Sequence, residues 1–104
     1  ALVLGAALGP VTAMGAGPAS DAYDHRAVLR FPYPDQRRAR IVHGAIAVEV
    51  GDIDDDRSMA TVERAGDTVE VTVRAHDLVA LRAGVNTWTR LVETAETVAA
   101  TAQR

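Results

Sequence analysis

Residues 74–103 read RAHDLVALRAGVNTWTRLVETAETVAATAQ, and this stretch decides the fold. Asp77 is a strong N-cap residue: its carboxylate can accept from the first free backbone N–H groups and suits the positive end of the helix dipole. Beyond it, Leu78, Leu81, Val85, Trp88, Val92, Ala95, Ala99 and Ala102 follow at alternating steps of three and four. That spacing lines one side of a helix. Leu91 and Val98 widen the stripe, and no proline interrupts it. A helix from Asp77 to Gln103 would be about 40 Å long at 1.5 Å per residue. So small a domain does not need that length to cover its own sheet, so part of the stripe is expected to meet another chain.

The chain before it supplies the sheet. Thr68 to Ala75 alternates cleanly, with Val69, Val71, Val73 and Ala75 on one face and Glu70, Thr72 and Arg74 on the other. One buried face and one wet face mark an antiparallel sheet covered on a single side. Ser58 to Arg64 reads as its hairpin partner across the turn Ala65-Gly66-Asp67. Tyr23 to Tyr33 alternates as a further strand and is ended by Pro32 and Pro34, which cannot donate to a sheet ladder. Between these, Asp35 is a second N-cap, followed by an amphipathic helix with Ala39, Val42, Ile46 and Val50 on its apolar face, Ile41, Ala45 and Val48 alongside, and Gly51 at its end. Gly44 costs this helix ~1 kcal/mol relative to alanine, and close approach to a neighbour is the expected compensation. The element order is β-α-β-β-α. The predicted fold class is α+β: a three-stranded antiparallel sheet in the order 1-3-2 with both helices on one face, a split βαβ unit. Its two edge strands are expected to stay open, an invitation to pair with another copy.

The chain has 104 residues, room for one domain. Residues 1–22, with four glycines, two prolines and no charge before Asp21, are expected to form a poorly ordered tail. A short helix over residues 1–8 and a targeting role are the alternatives. Residues 23–104 then form the α+β domain. The tail is too interrupted for a membrane span and lacks the positive start of a secretory signal. There is no cysteine, all 11 basic residues are arginine, and 14 carboxylates give a net charge of −3. An acidic, lysine-free surface suits a high-salt cytoplasm or a GC-rich genome and does not favour a free-standing nucleic-acid binder.

No catalytic set stands out. His25, His43 and His76 fall on a strand, a helix and a strand-to-helix junction, and no Ser occupies a nucleophile setting. The acidic run Asp52 to Asp56 lacks the closing Glu of a calcium loop and reads as a solvated loop. No metal or cofactor is expected. Arg37, Arg38 and Arg40 cluster at the start of the first helix, where cations oppose the dipole. They form either a solvated face or a contact for RNA phosphate or an acidic partner. Arg82 either bridges to Asp77 or to backbone carbonyls, or faces a subunit; Asn86 either bonds the other helix or joins that interface. Trp88, the single tryptophan, is either core or an interface anchor.

The string Ala75-His76-Asp77, Leu81-Arg82-Ala83, Asn86-Thr87, Leu91 and Glu93 resembles the Pcc-type small subunit of the KEOPS complex. In that family a strand ending A-x-D leads into a helix reading L-R-A-x-x-N-[ST]. The resemblance covers roughly residues 25–102. It implies a non-catalytic cytoplasmic subunit that forms a homodimer and docks the ATP-binding catalytic subunit of the Kae/TsaD type. That complex makes threonylcarbamoyladenosine on tRNA. With it, the partner-binding set is expected to be Leu81, Arg82, Val85, Asn86, Trp88 and Val92, and Trp88→Ala with Val92→Asp should abolish docking while leaving the domain folded. A direct tRNA contact would fall to Arg37, Arg38 and Arg40. The alternatives are a stand-alone RNA-binding module built on those three arginines, and an enzyme with an unfamiliar site.

Overall fold

A computed structural model describes residues 3–7, 23–52 and 57–102. Its elements are β1 (Val3–Ala7), β2 (His25–Pro32), α1 (Gln36–Ala47), β3 (Ser58–Ala65), β4 (Thr68–Ala75) and α2 (Leu78–Ala102). The three expected strands take the expected order: β4 lies between β2 and β3, antiparallel to both. The sheet gains a fourth strand, because β1 pairs antiparallel with β2, from Val3 opposite Arg30 to Ala7 opposite Arg26. So β2 is not the open edge that its place in a three-stranded sheet implied. The remainder of the expected tail, residues 1–2 and 8–22, lies outside the described residues.

Alternation fixes the register. Ala27, Leu29 and Phe31 of β2, Val69, Val71, Val73 and Ala75 of β4, and Ala60 of β3 point to one face and are buried. Shifting any strand by one residue would turn this set out to water. The β3–β4 hairpin closes with Ala65 opposite Thr68. Gly66 takes φ 61 and Asp67 does not have a positive φ. Glycine at the first of two turn positions is what a type II′ hairpin demands. At the same end of the sheet, the Tyr33 N–H donates to the Asp67 carbonyl at 2.9 Å and ties β2 to this turn.

Both helices cover the apolar face. The Asp35 carboxylate caps α1 by accepting from the Arg38 N–H at 2.7 Å, and Ala39, Val42 and Ile46 are its buried positions. The helix stops at Ala47, one turn short of the predicted end. The backbone continues in tight turns, with Glu49 bonding back to Ile46 and Val50 to Ala47, until Gly51 at φ 90. Val48 and Val50 are therefore exposed and not part of the apolar face. Gly44 is exposed, and a Cβ there would meet nothing within 4 Å, so the expected close approach is absent. It occurs instead on α2, where a Cβ on Gly84 would lie 2.7 Å from Val73 Cγ1. The N-terminal part of α2, around Gly84, thus sits directly on β4.

The core joins the sheet face to one stripe of each helix. Trp88, Leu29, Ile46, Val42, Val69, Val71, Val73 and Val92 are its largest fully buried side chains. Burying each contributes roughly 1.5–3 kcal/mol in area bookkeeping. Among the described residues no polar or charged side chain is fully buried. The acidic loop over residues 53–56 lies outside the described residues.

Candidate partner-docking surface

The start of α2 is built by a strand-to-helix junction. The Asp77 carboxylate accepts from the Ala80 N–H at 2.7 Å, and the Asp77 carbonyl accepts from Leu81 at 3.0 Å. Arg57, just before β3, forms an ion pair with the same carboxylate. The Ala80 bond first and the Arg57 guanidinium second hold the Asp77 carboxyl below its ordinary pKa. Beside it the His76 N–H donates to the Arg57 carbonyl at 2.9 Å. The rings of Tyr23 and His76 stack with centroids 4.8 Å apart. These contacts fix where α2 leaves the sheet and so which of its sides faces outward. Asp77 is the predicted cap. Its cationic partner is Arg57 and not Arg82, which corrects one reading of Arg82.

The six residues assigned to partner binding divide into two groups. Leu81, Trp88 and Val92 are 6%, 1% and 1% exposed and pack into the chain's own core. They cannot form a docking surface on this fold, because the stripe they lie on faces the sheet. Removing Trp88 and Val92 together would empty that core and would not leave the domain folded. Val85 is half-buried at the margin of the core, whereas Arg82 and Asn86 are exposed. Neither Arg82 nor Asn86 has a hydrogen-bond partner among the described residues.

Leu78, which the stripe reading counted with the seam, and Val79, which it passed over, complete a surface. Leu78 is 55% exposed and Val79 is 75% exposed. Arg82 follows them by four and three residues, and Val85 and Asn86 follow Arg82 by three and four. At 3.6 residues per turn all five share one side of the helix. Two bare aliphatic chains beside a free guanidinium and a free amide is the mixture expected of a contact patch: apolar area to bury, and donors to fix its register. The available signal was the pair Leu78-Val79, too many apolar residues for one stripe. Val98, 55% exposed, lies further along α2.

The arginine cluster is arranged differently. Arg37 and Arg40 are exposed at the start of α1, and Arg38 is half-buried. Arg38 lies near Tyr33 and Glu96 in a shallow depression with Pro32 and Pro34. The Tyr33 hydroxyl donates to Glu96 Oε2 at 2.9 Å, which staples the end of β2 to α2. Burial first and the Glu96 carboxylate second push the Tyr33 phenol well above its ordinary pKa. Among the described residues no three His, Cys, Asp or Glu side chains group so as to hold a metal ion, and no helix is long and apolar enough to cross a membrane.

In comparison with known proteins, the family model described as transcription factor Pcc1 matches residues 26–100. The match spans β2 through nearly all of α2 and so includes the junction and the whole patch. No curated protein matches the chain.

Proposed function

The chain belongs to the Pcc1 family, the small-subunit family of the KEOPS complex, and from this premise we propose that it is a non-catalytic docking and dimerisation subunit supporting threonylcarbamoyladenosine modification of tRNA. Its partner is the Kae/TsaD-type ATP-binding catalytic subunit, and its place of action is the cytoplasm. The observation that carries this reading is the exposed patch on α2: Leu78, Val79, Arg82 and Asn86, with Val85 at its edge. It sits on the helix that carries the family-like string, and it is held in place by the Asp77 junction at that string's start.

Docking in this way packs helix on helix, with Leu78 and Val79 filling the partner's groove and Arg82 supplying charge-assisted bonds. Arginine is among the residue types enriched at the energetic centres of interfaces, so Arg82, flanked by aliphatic chains that exclude water, is the expected anchor. Arg37 and Arg40, exposed at the start of α1, support a contribution to tRNA binding by the assembled complex. The chain's net charge of −3 makes that contribution secondary.

The test is co-elution with the catalytic subunit on a sizing column. Val79→Asp combined with Arg82→Glu should abolish the complex while leaving the melting temperature within a few degrees of wild type, since both residues are exposed. Intact binding by that folded variant would remove the patch from the proposal. A filter-binding series across salt separates the stand-alone RNA-binding module: tight tRNA binding by the chain alone would favour that alternative.

A further inference from the structure

The two edges of the sheet are treated differently. The order β1-β2-β4-β3 lays β1 along the outer side of β2 and leaves the outer side of β3 without a strand among the described residues. An uncovered edge is a row of unpaired N–H and C=O groups, open to any extended chain. β3 carries its own deterrent, because Glu63 and Arg64 are exposed near its end and charge on an edge strand discourages pairing. β2 has none at its middle. Under β1 it reads Arg26-Ala27-Val28-Leu29-Arg30, with three consecutive apolar residues between the arginines. β1 pairs with these five residues, from Val3 opposite Arg30 to Ala7 opposite Arg26. Beyond them little of the edge remains. Pro32 has no N–H to offer, and the Tyr33 N–H is taken by the Asp67 carbonyl at 2.9 Å. The stretch of β2 best fitted to add a foreign strand is therefore the stretch that β1 occupies.

We propose that the β2 edge is a strand-acceptor site and that residues 3–7 of the same chain occupy it as a guard, which keeps it from the β2 edge of another copy. β1 is held by its ladder and its covalent link, not by a turn. Residues 8–24 connect it to β2, whereas Gly66 and Asp67 alone connect β3 to β4. A two-residue turn fixes register, and a link of the longer kind does not. Gly5, Ala6 and Ala7 are also residue types depleted in strands, so the intrinsic preference of β1 for the site is modest. The covalent link compensates: it makes the pairing intramolecular and lets a weak strand outcompete a free one. With β1 gone, two copies can lay their β2 edges side by side in an isologous antiparallel pairing that joins two sheets into one. That contact would add to any the chain makes elsewhere and carry assembly past its wild-type size. β1 lies outside residues 26–100, the part that matches the family, and the guard does not depend on the docking reading.

The test uses the full chain and begins with amide hydrogen exchange of the wild type, read residue by residue. Successive N–H groups of a strand point to alternate sides, so within residues 26–30 one set bonds β4 and the other faces β1. Both sets should be protected. Gly5→Pro with Ala6→Pro then breaks the β1 ladder, because one of two adjacent residues directs its N–H at β2 and proline has none. In this variant the set facing β1 should exchange about tenfold faster or more, the change expected when the net contribution of a hydrogen bond or more is lost. The set bonded to β4 should stay protected, which reports that the domain is still folded. By sedimentation velocity at equal concentration, the variant should form species at least about twice the wild-type mass, as pairing through a two-fold edge requires. An unprotected β1-facing set in the wild type overturns the proposal, because β1 then covers nothing. A variant whose exchange matches wild type overturns it too. So does a variant that loses protection yet sediments as wild type does, since the edge then needs no guard. Loss of protection in both sets would make β1 part of the fold itself and likewise overturn it.

Discussion

Two glycines inside helices give the sharpest check on how the layers meet. Alanine at either position gains helix propensity, roughly 0.5–1 kcal/mol. At Gly44 nothing opposes the gain, because a Cβ there would meet nothing within 4 Å. Gly44→Ala should therefore stabilise the protein by that amount. At Gly84 the new Cβ falls 2.7 Å from Val73 Cγ1. Ordinary carbon contacts lie at about 3.5–4.0 Å, so the overlap is roughly 1 Å. Val73 is 1% exposed in the middle strand and branched at Cβ, so it has little freedom to turn away. Overpacking of this kind costs about 1–3 kcal/mol. The propensity term is common to both sites and cancels in the difference, so Gly84→Ala should lie about 1–3 kcal/mol below Gly44→Ala. Urea melts of both variants read this gap. Val73→Ala placed behind Gly84→Ala should recover part of the loss, a coupling of at least about 0.5 kcal/mol for touching residues. Equal effects at the two glycines, or no coupling to Val73, would refute the placement of α2 on β4.

Other perturbations follow from the same contacts. Trp88→Ala should cost about 3–5 kcal/mol in a melt, a large share of a small domain's stability, and a native-like melt would contradict its burial. Tyr33→Phe loses the bond to Glu96 and should cost about 1 kcal/mol at neutral pH. Because folding raises the Tyr33 pKa, its contribution is complete below the unfolded value of about 10 and fades as pH rises beyond it. Wild type should thus weaken in alkali more than Tyr33→Phe does, and parallel pH profiles would count against the staple. Folding lowers the Asp77 pKa, so its contribution is present above about pH 4 and is lost as pH falls through the folded value. Asp77→Asn should flatten the acid limb of the stability profile, and an unchanged acid limb would argue against the Arg57–Asp77 pair.

Much of this fold was legible because periodicity reports which side of an element is apolar. The alternation of Val69, Val71, Val73 and Ala75, and the three-four spacing of Leu81, Trp88, Val92, Ala95 and Ala99, named the buried faces correctly. Periodicity does not report what those faces touch. Trp88 was equally suited to an interface anchor, and only the position of α2 over the sheet makes it core. The same limit applies to the glycines: both Gly44 and Gly84 interrupt helical patterns, and the neighbour that requires one of them lies on another element. Arg57 precedes Asp77 by 20 residues, so their pairing exists only once β3 and β4 have folded back. The strand Val3–Ala7 has no alternation to betray it and is defined by its pairing to β2. The docking patch was half visible. Arg82 and Asn86 stood in the family-like string and Val85 in the stripe, but Leu78 was counted with the buried seam and Val79 lay outside it.

The most direct measurement is light scattering on a sizing column at high salt, with the full chain alone and then mixed with the KEOPS catalytic subunit. If the chain is a docking and dimerisation subunit, it elutes alone as a dimer, shifts to a stable larger complex on mixing, and fails to shift when Val79→Asp and Arg82→Glu are present. A monomer that ignores the catalytic subunit would contradict the claim.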